Sequence, residues 1–278
     1  MMDPRINPFR TDLAAAHLKG KVEAKHFAEG TLYEIVHGRA PLRRAPAHDA
    51  ALDTEALYGE RVTVYDIDEE GWAWGQLETD GYVGYLPAAA LARPGAASTH
   101  KIAALRTHGF PGADIKLPAY VALPYGARVA VAHQQQPFAV TAAGLFLPAS
   151  HLVPLAAKET DFVTAAEKFL GTPYLWGGKT TLGIDCSGLV QIALQAAGIG
   201  CPRDSYMQEA MPGTPASLDS RRRGDLIFWK GHVAIARDAK TIIHANAFHM
   251  AVAIEATVEA IARIKKSDSE VTSVKRLA

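Results

Sequence analysis

Cysteine is scarce in this sequence, because the 278 residues include only Cys186 and Cys201. Two cysteines are too few for the disulfide framework of a small secreted protein, and in a reducing compartment both stay thiols. No run of about 18 apolar residues occurs, which excludes a transmembrane helix. The N-terminal stretch also lacks the apolar core of a secretory signal. We therefore expect a cytoplasmic protein with no membrane partner.

Neither sign of charge is in excess, since 29 lysine and arginine residues balance 29 aspartate and glutamate residues. A balanced chain has no summed field that attracts nucleic acid or an anionic membrane. The run Arg221 to Arg223 is the main basic cluster, and a solvated turn explains it. We expect a small or neutral partner. The 49% hydrophobic content is enough for the cores of two or three domains.

Two segments in the first half of the chain repeat each other. Residues 57–91 and 123–152 both open with YG-x-RV-x-V and close with YLPA or FLPA. Alternating runs, separated by the turn sequences DEEG and TDG, predict the antiparallel strands of a small barrel. These runs are Arg61 to Ile67, Trp72 to Glu78 and Tyr82 to Leu86. The units resemble bacterial SH3-like modules, which predicts SH3-like domains at 31–95 and 96–156 after an N-terminal segment, 1–30, that matches no motif.

The hydrophobic period becomes helical in the last predicted domain, residues 157–278. Thr160 or Asp161 is expected to cap a first helix, and a second helix begins at Cys186 and stops at Gly198. Strands are predicted at 225–229, 232–236, 241–246 and 271–277, and a late helix at 254–266. Helices followed by an antiparallel sheet predict the α+β class.

The position of Cys186 suggests a nucleophile. If Asp185 caps the helix, the thiol lies in the first turn, where backbone N–H groups and the helix dipole favour a thiolate and lower its pKa. The same amides can stabilise an oxyanion, and Ser187 is small enough to let a substrate approach. The YLWGG stretch brings Tyr174 and Trp176 to the same place. The residues alone leave open a second interpretation, a packed core thiol.

A nucleophilic cysteine needs a base, and two histidines in adjacent predicted strands are candidates. Pairing His232 with His244 across a three-residue loop, 237–239, places both rings on one face of the sheet. One imidazole then orients the other, in a Cys-His-His series. A zinc site that includes His249 is the alternative, but no HExxH or paired CxxC motif supports it. We expect no metal and no cofactor.

Residues 158–278 resemble the NlpC-type cysteine peptidases, a papain-like group that cleaves bacterial cell-wall peptides. The resemblance rests on PYLWGG, DCSGLV, PRDSYMQ and RGDLIFW…HVAI…IIHA, in the order of the family. It implies a papain-like catalytic domain behind the two SH3-like barrels. It also implies that Cys186 is the nucleophile, His232 the general base and later acid, and His244 the orienting residue. Tyr174 resembles a family tyrosine whose hydroxyl lies near the oxyanion.

The order of domains resembles an intracellular subgroup that recycles murein peptides. These enzymes hydrolyse the bond between γ-D-glutamate and a diamino acid, and they require a free N-terminal L-alanine. The resemblance implies that Asp185 binds the alanine ammonium and that Ser205 lines the pocket. Arg203 and Asp204 belong to the same motif, although Arg203 serves equally well as a structural ion-pair partner. The diamino acid is either meso-diaminopimelate or L-lysine.

In this subgroup the first SH3-like unit also walls the cleft, with a tyrosine and an acidic residue. Tyr82 and Glu60 are the candidates here, and Glu55 is an alternative to Glu60. Two further functions stay open on the sequence. The chain is a cell-wall-binding protein if its catalytic domain is vestigial, or a papain-like amidase or acyltransferase if another acceptor replaces water.

Overall fold

The computed structural model describes residues 2–277, so Met1 and Ala278, at the ends of the first and last predicted domains, lie outside the described residues. The chain divides into two units, Met1–Ala157 and Lys158–Ala278. The first consists mainly of short strands and the second combines helices with an antiparallel sheet. The predicted α+β class is confirmed. Within residues 2–277, no helix has the length and hydropathy needed to cross a membrane.

The first unit is built from short strands, most of them antiparallel. Its strands are β1 (Leu13–Ala15), β2 (His26–Ala28), β3 (Thr31–Ile35), β4 (Arg39–Arg43), β5 (Leu52–Leu57), β6 (Arg61–Ile67), β7 (Trp72–Leu77), β8 (Val83–Pro87), β9 (Leu91–Ala92), β10 (His100–Ile102), β11 (Arg106–Gly109), β12 (Val121–Pro124), β13 (Arg128–Val129), β14 (Val131–Gln135), β15 (Phe138–Thr141), β16 (Phe146–Pro148) and β17 (Leu152–Pro154). The largest sheet has the order β5-β4-β8-β7-β6-β3-β9. Its core includes Ile35, Leu42 and Leu86.

The repeated YG sequence makes the same turn in both copies of the repeat. Gly59 and Gly126 have φ values of +76° and +84°, a region that glycine enters without steric cost. Each donates its N–H to an isoleucine carbonyl at 2.9 Å, Ile35 for Gly59 and Ile102 for Gly126. The repeat in the sequence therefore encodes a repeated backbone geometry.

The second unit places helices against one antiparallel sheet. Its elements are α1 (Phe162–Glu167), β18 (Lys179–Thr180), β19 (Gly183–Ile184), α2 (Cys186–Ala196), α3 (Ser205–Glu209), β20 (Thr214–Pro215), β21 (Leu226–Trp229), β22 (His232–Ala236), β23 (Thr241–Asn246), β24 (Ala251–Ala256), α4 (Thr257–Ser267) and β25 (Val271–Arg276). The sheet has the order β20-β25-β21-β22-β23-β24. Helix α2 packs against α1, β22 and β23.

The late helix predicted over residues 254–266 begins only at Thr257, so its first turn was predicted wrongly. Ala251–Ala256 is a strand instead, and it pairs with β23 along its whole length. The apolar residues of this stretch follow one another almost without interruption, a pattern that a buried strand and a helix share over so few residues.

The predicted register between β22 and β23 is wrong by two residues. Ile235 lies opposite Ile243, which would put residue 246, and not His244, opposite His232. The turn closes one residue later than predicted because the Asp238 carboxylate accepts hydrogen bonds from the N–H groups of residues 240 and 241, each at 2.7 Å. A shift of two residues preserves the alternation of side chains, so both histidines still lie on the same face.

Candidate active site

The start of helix α2 holds the candidate nucleophile. Asp185 is the N-cap residue, and its Oδ1 accepts the N–H of Gly188 at 2.7 Å. A Cβ on Gly188 would lie 2.5 Å from the carbonyl oxygen of Gly178, so only glycine lets the helix start pack against this corner. Cys186 is the first helical residue and is 7% exposed. The backbone N–H groups of Val233 and Ser187 lie near its sulfur and favour its ionised form.

The contact with Val233 links the thiol to strand β22, because His232 is the preceding residue. His232 Nε2 and His244 Nδ1 are 2.8 Å apart, a hydrogen bond between two rings on one face of the sheet. The structure therefore pairs the two histidines of the predicted Cys-His-His series, and it places the thiol near the residue that follows His232. Their catalytic roles stay predictions.

Burial sets the protonation of the resting pair. It raises the pKa of the Cys186 thiol to about 12, and the nearby Asp185 carboxylate adds to the effect, while the Val233 N–H opposes it. Burial and then the neighbouring His244 lower the pKa of His232 to about 3. The predicted lowering of the thiol pKa is therefore wrong for the resting structure. At neutral pH Cys186 is a thiol and His232 is a neutral imidazole, because desolvation outweighs the effect of the helix start on the thiol pKa.

Asp185 forms a buried ion pair with Arg203, whose side chain is 1% exposed. Arg203 donates Nη2–H to Oδ2 at 2.7 Å and Nη1–H to Oδ1 at 2.9 Å. The N–H of Gly177 donates to Oδ2 at 2.7 Å, and the Ser187 hydroxyl donates to Oδ1 at 3.3 Å. With the cap bond to Gly188, donors occupy both oxygens. Asp185 and Arg203 form a buried ion pair, and the predicted contact of Asp185 with a substrate ammonium stays a prediction.

Ser187 belongs to the same buried network, since its Oγ accepts from Arg203 Nη1 at 2.9 Å. Its hydroxyl is directed into this network, and its predicted place beside the substrate stays a prediction. Gln208 was missed by the sequence analysis. It donates from Nε2 to the carbonyl oxygens of Ser187 and Pro202, each at 2.9 Å, and so ties helix α2 to helix α3.

Tyr174 lies near the thiol and Trp176 is open to solvent. Burial, followed by the charges of Cys186 and Asp185, raises the pKa of Tyr174 above its usual value, so its hydroxyl stays protonated and able to donate. The Tyr174 N–H donates to the carbonyl of Met250 at 2.9 Å, which fixes the backbone at this corner. Trp176 is 64% exposed. The roles of both residues toward a substrate stay predictions.

The remaining predicted site residues lie further along the second unit or in the first. Asp204 is the N-cap of α3, and Ser205 is its first residue and half-buried. Tyr82 lies in the core of the first barrel, where its side chain is buried. Glu60 is buried and accepts the N–H of Leu57 at 2.7 Å. Their contribution to a substrate pocket stays a prediction.

Glu55, the alternative to Glu60, is also buried, and it pairs with Arg39. Cys201 is a buried free thiol, as is Cys186. Across residues 2–277, no group of three or more His, Cys, Asp or Glu side chains has an arrangement that could hold a metal ion.

A carboxylate beyond the second histidine was also missed. Glu255 Oε1 lies 3.0 Å from His244 Nε2 and 2.6 Å from Arg263 Nη2. A glutamate in the apolar strand VAIEA is the signal that could have revealed it, since a charge is costly to bury unless it has a partner.

Comparison with known proteins identifies the family. Residues 42–91 match the bacterial dipeptidyl-peptidase Sh3 domain, and residues 171–265 match the NlpC/P60 family. A probable endopeptidase of Corynebacterium glutamicum is 33% identical over 165 residues, which cover 57% of this chain and 73% of that protein. The chain belongs to the NlpC/P60 family. It is a cysteine peptidase of the NlpC/P60 type with an SH3-like domain in its first unit.

Other NlpC/P60 relatives carry more specific names. Dipeptidyl-peptidase 6 of Lysinibacillus sphaericus is 38% identical over 98 residues, which are 35% of this chain. The matched region covers only 36% of the length of that protein. A γ-D-glutamyl-L-lysine dipeptidyl-peptidase of Bacillus cereus is 28% identical over 226 residues, 69% of this chain and 67% of the relative. The crystal structure of a Bacillus cereus NlpC/P60 protein superposes with a TM-score of 0.74 at 19% identity, over 88% of this chain and 99% of that one. The last match shows the shared fold.

Proposed function

We propose that this chain hydrolyses the bond between γ-D-glutamate and the following diamino acid in murein peptides that begin with a free L-alanine. The products are L-Ala-D-Glu and the diamino acid portion. The observation that carries the proposal is the thiol at the start of α2, placed beside a strand whose histidine is held by a second histidine. The dipeptidyl-peptidase names of two relatives support the choice of substrate. We further propose that the enzyme acts in the cytoplasm, in the recycling of cell-wall peptides.

The resting protonation defines the first step. Neutral His232 accepts the thiol proton as the sulfur of Cys186 attacks the γ-carbonyl carbon, so negative charge develops on the carbonyl oxygen and positive charge on the imidazole, without a stable thiolate. Backbone N–H groups at the start of α2 stabilise that oxyanion, and the protonated hydroxyl of Tyr174 is a second donor. His232 then gives its proton to the departing amine, which leaves a thioester.

The second half of the reaction regenerates the enzyme. His232 takes a proton from water as the water oxygen attacks the thioester carbonyl. The C–S bond breaks, the sulfur recovers a proton from the imidazolium, and L-Ala-D-Glu leaves with one oxygen from water. His244 keeps the ring of His232 oriented through both halves.

The test compares the free tripeptide L-Ala-γ-D-Glu-diamino acid with its N-acetyl derivative, with diaminopimelate or lysine in the third position. Mass spectrometry should detect L-Ala-D-Glu from the free peptide only. Cys186→Ala and His232→Ala should abolish release, while Cys201→Ala, which removes the other buried thiol, should retain it. Equal turnover of the acetylated peptide would contradict the requirement for a free N-terminus. Binding of murein without any release would favour a binding protein, and transfer to an acceptor other than water would favour an acyltransferase.

A further inference from the structure

A chain of hydrogen bonds continues past the second histidine and ends on a helix. Glu255 is on β24 directly before α4, and Arg263 is on α4 itself. In the register of the two strands Glu255 lies opposite Ile242, two residues from His244, so the carboxylate and the imidazole share one face. The His244 side chain has no exposed surface, and that of Glu255 is 11% exposed.

The donors and acceptors of this chain can be assigned from its far end. An arginine can only donate, so the Glu255 oxygen that contacts Arg263 is an acceptor. Burial opposes ionisation of Glu255, but hydrogen bonds and charges from His244 and Arg263 outweigh it and lower its pKa to about 2. At neutral pH the carboxylate therefore only accepts. His244 Nε2, 3.0 Å away, must carry a proton and donate it.

The assignment then passes through both rings. Since burial lowers the pKa of His244, the ring is neutral, and a proton on Nε2 leaves Nδ1 as an acceptor. The partner of Nδ1 is Nε2 of His232, which must donate. The Nδ1 atom of neutral His232 is then left with a lone pair, which is the state that a general base needs.

We propose that Glu255, held by Arg263, is a positioning residue that fixes the tautomer of both histidines and so keeps a lone pair on Nδ1 of His232. The inference rests on the proposed peptidase function, in which His232 is the base. Without an acceptor at Nε2, His244 can carry its proton on Nδ1 instead. His232 Nε2 then becomes the acceptor and its Nδ1 is protonated, which removes the base.

A third side chain lies near the same oxygen. His249 is on the loop between β23 and β24, and its Nδ1 atom lies 3.2 Å from Glu255 Oε1. The same Nδ1 atom lies 3.1 Å from Asn246 Oδ1. The guanidinium of Arg263 also lies over the ring of Phe248, 4.3 Å from its centre. The donors around Oε1 therefore come from β23, the loop and α4. His244, His249 and Arg263 all compete for this one acceptor oxygen, and none of them can take over its role as the acceptor for His244.

The direct test is ¹⁵N NMR of histidine-labelled wild-type protein without substrate, which distinguishes protonated from bare ring nitrogens. We expect both His232 and His244 to carry their proton on Nε2. A proton on Nδ1 of either ring would overturn the inference, and this measurement needs no variant to fold.

Variants give an independent test. Glu255→Ala should lower kcat about 10- to 100-fold, the range found when the partner that orients a functional histidine is lost, with KM changed less than about twofold. Nδ1-protonated rings should appear in its spectrum. Glu255→Gln keeps an acceptor oxygen, so it should retain the Nε2 proton and more activity than the alanine variant. Glu259→Ala, an exposed glutamate in the first turn of α4, is the matched control and should match wild type.

The outcomes separate the two proposals. If the wild type does not cleave the tripeptide, the proposed function fails, and the NMR spectrum still decides the tautomers. If the wild type cleaves it, but Glu255→Ala keeps the wild-type kcat and spectrum, the positioning role of Glu255 fails.

Discussion

The buried pair between Asp185 and Arg203 gives a prediction whose size follows from the structure. Arg203→Ala removes both charge-assisted bonds, at 2.7 and 2.9 Å, and leaves a carboxylate that is 10% exposed. Breaking a buried ion pair in this way costs about 3–5 kcal/mol. The backbone donors that remain on Asp185 place the expected loss in the free energy of unfolding near the lower value, about 3 kcal/mol.

Native-state hydrogen exchange read by mass spectrometry measures this loss in the second unit alone. A loss of about 3 kcal/mol should speed exchange of the slowest amides of α2 roughly 100-fold. The matched control is Arg237→Ala, whose guanidinium bonds Glu167 at 2.8 Å but is 40% exposed. An ion pair with this degree of solvent exposure contributes about 0–1 kcal/mol to the free energy of unfolding. Equal effects of the two variants would refute the structural role assigned to Arg203.

Three further predictions follow from the same structure. Because the pKa of the resting Cys186 thiol is raised, iodoacetamide should alkylate it slowly at pH 7 and faster above pH 9, as followed by peptide mapping. A fast plateau in the alkylation rate below pH 7 would show a thiolate–imidazolium pair instead. His232 has a folded pKa of about 3 against about 6.5 when unfolded, so the unfolded chain binds more protons between these values, and the free energy of unfolding should fall as pH drops from 6.5 to 3. Hydrogen exchange of β22 should show a weaker pH dependence in His232→Gln, and an unchanged dependence would contradict the neutral resting ring. Gly59→Ala should destabilise the first unit more than Gly144→Ala does. Both glycines have a positive φ, but only at residue 59 would the new Cβ lie against a backbone carbonyl oxygen, that of Arg128, at 2.1 Å. Equal melting temperatures of the two variants would contradict this.

Local signals in the sequence predicted the helix and the strands that hold the candidate site. The aspartate before Cys186 and the glycine at residue 198 delimit helix α2, and short apolar runs delimit β22 and β23. These features depend on residues that are neighbours in the chain, so the sequence alone predicts them.

The errors concern contacts made at a distance in the chain. The thiol pKa depends on burial, and the ion-pair partner of Asp185 is Arg203, 18 residues away. Glu255 was hidden because residues 254–256 fit a helix and a strand about equally, and only the pairing with β23 decides between them. The two-residue error in register is the exception, because it followed from a local turn in which the Asp238 carboxylate accepts the N–H groups of residues 240 and 241.

The nucleophilic role of Cys186 is tested most directly by incubating the free tripeptide in ¹⁸O-labelled water. Wild-type enzyme should release L-Ala-D-Glu that contains one ¹⁸O atom, and Cys186→Ala should release none. Undiminished release of the labelled dipeptide by Cys186→Ala would contradict the account.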